Sequence, residues 1–336
     1  MDLLLVADPR YREHDAGQGH PERPSRLLAV ERGIREAGLD GALIEVEPRD
    51  ATDEDLARAH DPRLVDALVA LDERGGGAID GDTRVGPGSV GVARLAAGAG
   101  LALVDRLRAG EGGAGFCAVR PPGHHATARR AMGFCLFNNV AVTAAALADA
   151  GERVTIVDYD AHHGNGTEDV FWTDPRVLYV SLHEWPLYPG TGALPDVGDG
   201  EGRGRTINVP LPSGATGDVY RMAVEELIAP AAADHGTTWL LVSAGYDAHR
   251  ADPLTGLGLR AGDFADLTAD LMALAPEGRR ILFLEGGYDL DGLADSVGAS
   301  LSAVVGGGHR PEPSTAGGPG REAVLAAAEL HRRARG

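Results

Sequence analysis

The 336-residue sequence contains no lysine, and all 31 basic residues are arginines, against 50 acidic residues. We attribute the missing lysine to genomic composition rather than to chemistry. The formal net charge is −19, which disfavours nucleic-acid binding because that requires a basic surface to neutralise phosphates. The same charge would mildly favour cationic ligands such as lysine-rich peptides or polyamines, although it could serve solubility alone.

Cysteines and long apolar runs are also scarce. The two cysteines, Cys117 and Cys135, lie in apolar contexts, which favours buried free thiols and excludes a disulfide framework. No apolar stretch reaches the length of a membrane-spanning helix. The N-terminal run "MDLLLVADP" is too short for the hydrophobic region of a signal peptide and carries an acid where a basic residue is expected. We therefore expect a cytoplasmic protein with no membrane partner.

Continuous apolar runs rich in β-branched residues recur between helical segments. Such runs are typical of parallel strands buried on both faces. We predict strands at 3–7, 43–47, 116–119, 153–158, 176–182, 238–244 and 279–285, with a weaker one at 206–210. Helices are predicted at 23–38, 88–110, 138–151 and 218–236. This alternation indicates a single-domain α/β fold with a mostly parallel central sheet of about eight strands flanked by helices.

The sequence gives no sign of a second domain or of internal repeats. The Gly/Pro-rich segment 306–320 is the only linker-like stretch, and a short helical pattern follows it. We therefore predict one catalytic domain over residues 1–305, with residues 306–336 packed against it.

Four predicted strands lead into loops rich in polar side chains. "FCAV" precedes "RPPGHHA", "RVTIVD" precedes "YDAHHGNGT", "TWLLVSA" precedes "GYDAHRADP", and "RRILFLE" precedes "GGYDL". In open parallel sheets, ligands bind beyond the carboxyl ends of the strands. Four such loops at one sheet edge predict a single site.

The loop "YDAHHGNGT" contains Asp160 and His162, two residues apart at a strand end, so that both side chains can point the same way. A carboxylate and an imidazole suit Zn²⁺ or another divalent transition metal, including Fe²⁺. Asp247, in "SAGYDAH", is the natural third ligand. Taken alone, Asp160 could instead form an Asx-turn or helix cap, and His162 could be an ordinary loop histidine.

The adjacent His124 and His125 could be metal ligands or proton carriers. We favour proton transfer, because three other ligands are available for the metal. Each ring then needs an orienting partner, and Asp158 and Asn165 are candidates. An aspartate would stabilise the imidazolium, whereas an asparagine would orient the ring without raising its pKa much. The Asn-paired histidine is therefore the better general base.

Tyr288 follows Gly286 and Gly287 in the last of the four loops. A phenol beside a metal could donate a hydrogen bond to the oxyanion of a tetrahedral intermediate. The two glycines would allow the ring to move in and out of such a site. Alternatively, Tyr288 could simply pack at the rim of a turn.

Together these residues resemble the histone deacetylase superfamily, which has the arginase–deacetylase fold, and within it the class II-like group of bacterial deacetylases and acetylpolyamine amidohydrolases. The matching motifs occur in family order between residue 19 and about residue 290: "GHPERPSRL", "RPPGHHA", "GFCLFNNVAV", "VDYDAHHGNGT", "SLH", "YPGTG", "SAGYDAHRADPL" and "LEGGYDL".

The resemblance implies a role for each matching residue. Asp160, His162 and Asp247 match the zinc ligands. His124 and His125 match the tandem histidines, with Asp158 and Asn165 as their respective partners, and His125 is the general base and acid. Tyr288 matches the catalytic tyrosine, and His163 is left with a structural role. Substrate-binding positions are implied at Gly133, Phe134, Trp185, Leu254 and Asp82. A structural K⁺ or Na⁺ ion is implied at Asp158, Asp160, His162, Ser181 and Leu182.

The reaction implied is zinc-assisted hydrolysis of an N-acyl amide that releases acetate. Leu254 stands where polyamine-selective relatives carry an acidic residue, which favours acetyl-lysine in peptides or proteins over acetylpolyamines and other small acylated amines. A dinuclear manganese ureohydrolase on the same fold is disfavoured because "DAHHGN" lacks the carboxylate for a second metal. A silent acyl-lysine binding module is disfavoured by the complete set of candidate catalytic residues. The sequence leaves open whether the protein is a homo-oligomer.

Overall fold

The predicted apolar runs form one parallel sheet in the computed structural model, which describes residues 1–335. The strands of this part of the chain are β1 (Leu3–Val6), β2 (Leu43–Glu45), β3 (Gly77–Ala78), β4 (Arg84–Val85), β5 (Ala114–Cys117), β6 (Val154–Asp158), β7 (Val177–Glu184), β8 (Thr206–Leu211), β9 (Trp239–Ala244) and β10 (Arg280–Leu284). Eight of them form the central sheet in the order β2-β1-β5-β10-β9-β6-β7-β8, whereas β3 and β4 form a separate antiparallel pair. The single-domain α/β prediction is confirmed.

Helices flank the sheet. They are α1 (Ser25–Glu36), α2 (Asp53–Ala57), α3 (Pro62–Glu73), α4 (Ser89–Arg108), α5 (Asn139–Asp149), α6 (Asn165–Phe171), α7 (Gly217–Ala223), α8 (Ala229–His235), α9 (Ala261–Met272), α10 (Leu290–Val304) and α11 (Arg321–Arg335). Every residue of β5, β6, β7 and β9 is buried, which explains why these strands are continuous, mostly apolar runs rather than alternating ones. None of the helices within residues 1–335 combines the length and the apolar character needed to cross a membrane.

The long helix predicted at 218–236 is interrupted. A π-helical turn, Val224–Ile228, separates α7 from α8, and the N–H of Ala229 bonds to the carbonyl of Val224, five residues back. Pro230 lies in the first turn of α8. Because proline has no N–H and clashes with the carbonyl four residues earlier, the regular hydrogen-bond ladder cannot continue through it.

Strand β5 begins and ends two residues earlier than predicted. The prediction of 116–119 missed Ala114 and Gly115, which lack bulky side chains. The glycine is needed for packing, since a Cβ at Gly115 would lie 2.8 Å from Cδ1 of Leu103 in α4. A small residue thus lets the helix approach the strand closely, and the chain leaves the sheet sooner, toward the loop that carries the tandem histidines.

The strand order places the polar loops side by side. Strands β5, β10, β9 and β6 are consecutive neighbours in the sheet. All run in the same direction, so the loops that follow them share one edge. The predicted convergence of these loops therefore follows from the observed topology.

The Gly/Pro-rich segment 306–320 is held against the helices by buried polar groups. Asp263 in α9 accepts hydrogen bonds from the N–H and the hydroxyl of Thr315, both at 2.7 Å. Glu312 Oε2 lies 2.8 Å from His249 Nε2. The domain boundary at residue 305 stays a prediction.

A buried ion cluster connects α1 to two of the polar loops. Glu22 Oε2 accepts a hydrogen bond from Arg120 at 2.7 Å, and its Oε1 lies 3.3 Å from Arg26 Nη1. Arg26 donates in turn to the carbonyls of Gly287, at 2.7 Å, and Glu285. Burial opposes ionisation of Glu22, but Arg120 above all, followed by His14 and Arg26, holds its pKa at about 2, below the usual 4.5. The carboxylate thus compensates two fully buried arginines.

We expect Glu22→Gln to lower the free energy of unfolding by about 3–5 kcal/mol at neutral pH, because two buried guanidinium groups lose their counter-charge. Since the folded-state pKa lies below the unfolded value, this stabilisation is complete above pH 4.5 and is lost as the pH falls toward 2.

Urea unfolding of wild type and E22Q at several pH values between 3 and 7 measures this difference. The surface variant Asp291→Ala, which removes an exposed partner of Arg32, serves as control. A gap between wild type and E22Q that does not narrow below pH 4.5 would contradict the prediction.

Candidate active site

Asp160, His162 and Asp247 meet beyond the carboxyl ends of the adjacent strands β6 and β9. Their candidate ligand atoms all lie within 4.8 Å of one another, and all three residues are buried. His162 Nδ1 lies 2.9 Å from Asp247 Oδ2 and 3.2 Å from Asp160 Oδ1. Within residues 1–335 this is the one group of at least three acidic, histidine or cysteine side chains with metal-site spacing.

The charges of this cluster fit a cation. Burial alone would favour a neutral His162, yet its hydrogen bonds to the carboxylates of Asp160 and Asp247 raise its pKa to about 10. Burial and the charge of Asp160 also raise the pKa of Asp247. Two carboxylates held together away from water require positive charge nearby, and a dication would supply it where the His162 proton now lies.

Backbone groups fix both carboxylates. Gly286 N–H donates to Asp160 Oδ2 at 2.8 Å, and Ala161 N–H donates to Asp247 Oδ1 at 2.8 Å. A Cβ at Gly286 would lie 2.5 Å from Asp247 Oδ2, so the site has no room for a side chain there. The remaining oxygens, Asp160 Oδ1 and Asp247 Oδ2, face the His162 ring. The donor set is therefore preorganised for a small divalent ion.

His124 and His125 lie beside this cluster, with ring centroids 4.0 Å apart. His124 Nδ1 is 3.0 Å from Asp158 Oδ2, and His125 Nδ1 is 2.9 Å from Asn165 Oδ1. These are the contacts that the sequence predicts. His163 lies apart from them, with Nδ1 2.8 Å from the hydroxyl of Thr191.

The two rings have opposite electrostatic surroundings. Burial disfavours the charged form of both. For His124, the carboxylates of Asp160 and Asp158 outweigh burial and raise the pKa well above its usual value. For His125, burial prevails, and the positive charges of His124 and His162 lower the pKa further. His125 is thus a neutral imidazole beside a charged one.

A cavity of about 250 Å³ opens above these residues. It is lined by Asp82, His125, Gly133, Phe134, His162, Leu187, Tyr188, Leu254 and Tyr288. A larger cleft of about 550 Å³ surrounds Trp239, the first residue of β9, but it lies at the opposite end of that strand and contains none of these side chains. The narrow cavity is therefore the one that reaches the candidate metal ligands.

Phe134 and Gly133 form one wall of the cavity. Both have positive φ, 68° and 56°, and Phe134 is the sole non-glycine residue within 1–335 in that region. A Cβ at Gly133 would lie 2.4 Å from Cδ2 of His125, so the glycine lets the wall approach the ring. The Phe134 ring meets Tyr288 edge-on at 5.9 Å. This strained turn sets the width of the cavity.

Trp185, another of the implied substrate-binding residues, does not line this cavity, and Tyr188 stands opposite Phe134 instead. Trp185 is 37% exposed and does not line the cavity, whereas the Tyr188 ring lies 5.2 Å from that of His125 and 6.4 Å from that of His162. The N–H of Trp185 still bonds to the carbonyl of Leu211, at 2.7 Å, so the chain turns toward the site only after this residue. Tyr188 is the first residue of the motif "YPGTG", so the sequence offered a reason to place it near the site.

The other predicted substrate positions, Asp82 and Leu254, lie at the cavity and are partly exposed. Asp82 accepts a hydrogen bond from Thr83, and burial, together with the neighbouring Asp80, raises its pKa. His20, which the sequence analysis gave no role, lies 3.0 Å from the Asp82 carbonyl and 4.5 Å from the Phe134 ring. His20 thus contacts both the Asp82 backbone and the Phe134 ring at the entrance of the cavity.

Tyr288 is positioned from two directions. Its N–H donates to Asp252 Oδ2 at 2.7 Å, and the Arg26 guanidinium lies 5.0 Å from the centre of its ring. Burial raises the pKa of the Tyr288 phenol well above its usual value, and the charges of Asp160 and Asp247 add to this despite Arg26. The phenol therefore keeps its proton and can donate it in a hydrogen bond.

The predicted monovalent-cation residues lie on β6 and β7 and in the loop that follows β6. Asp158 pairs with Ser181 in register across these two strands, and Leu182 follows Ser181. Asp158 Oδ2 already faces His124 and accepts from the Tyr179 hydroxyl at 3.2 Å. Ser181 Oγ lies 2.9 Å from His183 Nδ1. The cation site itself stays a prediction.

Comparisons with known proteins place the chain in a family. Residues 20–304 match the model of the histone deacetylase domain. A probable deacetylase of Archaeoglobus fulgidus is 37% identical, over 90% of this chain and 86% of its own. The histone deacetylase-like amidohydrolase of Pseudomonas aeruginosa is 37% identical, over 81% and 73%. The chloroplastic histone deacetylase 14 of Arabidopsis thaliana is 39% identical, over 86% and 74%.

A solved structure indicates the same family as these relatives. The crystal structure of the HDA15 HD domain superposes with a TM-score of 0.90 at 35% identity, covering 99% of this chain and 94% of that one. The fold is thus the arginase–deacetylase fold implied by the sequence motifs. The chain belongs to the histone deacetylase domain family.

Proposed function

We propose that this protein is a zinc-dependent amidohydrolase that removes acetyl groups from N-acylated amines, with acetyl-lysine in peptides or proteins as its substrate. One observation carries the proposal. Candidate metal ligands, a neutral histidine and a protonated tyrosine all converge on one narrow cavity. Family membership supports an enzyme of this type.

Asp160, His162 and Asp247 would hold the metal. Their mixed oxygen and nitrogen donors suit Zn²⁺ and also Fe²⁺. A bound divalent ion supplies Lewis acidity, which polarises the acyl carbonyl and lowers the pKa of water. The backbone amides that hold both carboxylates keep the donors in place before and during the reaction.

His125 is assigned as the general base. The Asn165 side chain faces it with its oxygen, because the amide nitrogen of the same side chain donates to the His125 carbonyl at 3.4 Å. The ring therefore carries its proton on Nδ1 and has a lone pair on Nε2. His125 takes a proton from the attacking water and returns it to the leaving amine, which becomes the free amino group. His124, held by Asp158, stays charged throughout.

Tyr288 is assigned to the oxyanion. Its raised pKa keeps the phenol protonated, and it lines the same cavity as His125. A hydrogen bond from the phenol stabilises the negative charge that develops on the acyl oxygen, and such a donor contributes more in a site closed to water.

The cavity walls fit a linear acylated chain. Gly133, Phe134 and Tyr188 would enclose the alkyl part of acetyl-lysine, and Asp82 would accept a hydrogen bond from the substrate backbone. Leu254 is apolar and 37% exposed at the rim, where it favours a peptide over a polycation. A structural K⁺ or Na⁺ ion bound by Asp158, Asp160, His162, Ser181 and Leu182 is part of the same proposal, and a cytoplasmic location stays a prediction.

A small acylated amine is a second candidate substrate. The net charge of −19 and the paired Asp80 and Asp82 at the cavity entrance favour a second positive charge on the substrate. Turnover of acetyl-lysine peptides against acetylated putrescine and spermidine separates the two. Higher kcat/KM for the acetylated polyamines would replace the peptide substrate with a small amine.

We expect purified protein to contain one zinc or iron ion per chain, measured by elemental analysis. Asp247→Ala should lower zinc affinity by more than about 100-fold, since even residues that only orient metal ligands contribute 10- to 100-fold. Adding zinc to metal-free wild type should raise the unfolding temperature. Asp263→Asn, which changes a buried carboxylate remote from the cavity, should keep the ion. Two manganese ions per chain would instead indicate a ureohydrolase.

His125→Ala should lower kcat on an acetyl-lysine peptide by about 10²- to 10⁴-fold, because the proton carrier is lost. Tyr288→Phe should lower it by about 10²- to 10³-fold, because the oxyanion loses one donor. Metal content should be unchanged in both variants. Wild type that binds an acetylated peptide but turns over no acyl-amine would favour a binding module.

Tyr188→Ala should raise KM for the peptide by about tenfold, because one wall of the cavity is removed. Trp185→Ala should change KM by less than about twofold, since Trp185 lies outside the cavity. Steady-state kinetics of the two variants side by side measure this. A larger increase in KM for Trp185→Ala than for Tyr188→Ala would instead assign this wall to Trp185.

A further inference from the structure

Glu285 is a buried carboxylate that the proposed reaction does not use. It directly follows β10, the strand between β5 and β9, and it is fully buried. The hydrogen bonds that its carboxylate accepts within the described part of the chain all come from neutral donors. A carboxylate in such a place costs free energy unless its hydrogen bonds compensate.

These hydrogen bonds connect the end of β10 to the loop after β5 on one side and to β9 on the other. Glu285 Oε2 accepts from the N–H of Gly123 at 2.7 Å and from the N–H of His124 at 3.2 Å. On the other side, Oε1 accepts from the hydroxyl of Ser243, in β9, at 3.4 Å. The side chain thus links the loop that carries the tandem histidines to the strand that leads to Asp247.

The histidine loop depends on this acceptor. A Cβ at Gly123 would lie 2.4 Å from the N–H nitrogen of Asn139, so the loop packs directly against the start of α5. The N–H groups of Gly123 and His124 are buried there and need acceptors, which Glu285 provides. Without Glu285 these two N–H groups would lose their acceptor, and the loop backbone would be held at His124 only through its carbonyl, which accepts from the N–H groups of Gly166 and Thr167.

The backbone of the same turn holds one candidate metal ligand, Asp160. Glu285 N–H donates to the carbonyl of Ala244 at 3.1 Å, and the next residue, Gly286, donates to Asp160 Oδ2 at 2.8 Å. One turn therefore contacts the histidine loop through the Glu285 side chain and the metal site through the Gly286 amide.

We propose that Glu285 is a positioning residue that holds His124 and His125 in place relative to the metal ligands by accepting the two loop amides. This inference rests on the proposed function for its kinetic consequence, but not for its structural one. Burial, opposed by His124, raises the pKa of Glu285 to about 7. Because a neutral carboxyl or amide oxygen can accept the same bonds, the role requires an acceptor and not a negative charge.

The test compares Glu285→Gln, which keeps an acceptor oxygen, with Glu285→Ala, which removes it. E285A should lower kcat on an acetyl-lysine peptide by about 10- to 100-fold with KM within about twofold, because a displacement near 1 Å of a catalytic group costs rate rather than binding. E285Q should stay within about threefold of wild type.

Hydrogen exchange in the metal-free protein provides a readout that does not depend on activity. The amides of Gly123 and His124 should exchange at least about tenfold faster in E285A than in wild type, and should stay protected in E285Q. If wild type hydrolyses no acyl-amine, the proposed function fails while this measurement still tests Glu285.

Asp263→Ala is the matched control. Asp263 is also a buried carboxylate that accepts backbone amides, from Arg260 at 2.8 Å and Thr315 at 2.7 Å, but it lies outside the cavity. D263A should lose stability while keeping kcat. If E285A does not fold, Glu285→Leu, which keeps the volume without the acceptor, replaces it.

Three results would overturn the proposal. A folded E285A or E285L with wild-type kcat would show that the anchor is dispensable. An E285Q as impaired as E285A would show that charge, and not hydrogen-bond acceptance, is required. Unchanged exchange at Gly123 and His124 in E285A would show that the two amides do not depend on Glu285.

Discussion

Two carboxylates that face each other at the ends of adjacent strands, away from water, are the constraint on which the site depends. Asp160 and Asp247 both approach the His162 ring. The repulsion between the two carboxylates must be offset by a positive charge between them. The parallel sheet provides the rigid frame, because β6 and β9 are hydrogen-bonded neighbours in its centre. The fold thereby maintains an electrostatic arrangement that a divalent cation completes.

Backbone N–H groups and glycines position the side chains around this centre. Gly286 donates to Asp160 while leaving room for Asp247, and Gly133 lets the cavity wall approach His125. In each case a side chain would occupy the space of a functional group. The high glycine content of the loops thus has a local explanation at these two positions, where the chain must approach a reactive side chain closely.

The centre of the site could be predicted from sequence because its residues lie in short motifs at strand ends. Asp160 and His162 are two residues apart, and the order of the strands brings Asp247 to them. The residue that forms the wall opposite Phe134 was harder to predict from the sequence. Trp185 and Tyr188 are three residues apart in a turn with two prolines, and sequence alone does not show where the chain bends back toward the site.

Contacts outside these motif residues were not predicted from the sequence. Glu22 and Arg26 lie in the motif "GHPERPSRL" and Arg120 in "RPPGHHA", but only the folded chain shows that they form one buried ion cluster. The π-helical turn before Pro230 and the early start of β5 at Ala114 depend on packing against neighbours. The sequence therefore predicts the residues at the centre and the partners of the tandem histidines, but not the buried ion cluster and the packing around them.

The adjacent histidines show how such contacts can separate two chemically identical groups. His124 faces Asp158 and lies within 3.8 Å of Asp160, whereas His125 faces the neutral amide of Asn165. Positive charge is therefore stabilised on the first ring and repelled from the second. A proton carrier must be neutral before it accepts a proton, and the charged neighbour keeps it so. The proposed division of labour between the two rings thus follows from the carboxylates of Asp160 and Asp158 beside His124, and from burial and the neighbouring positive charges at His125.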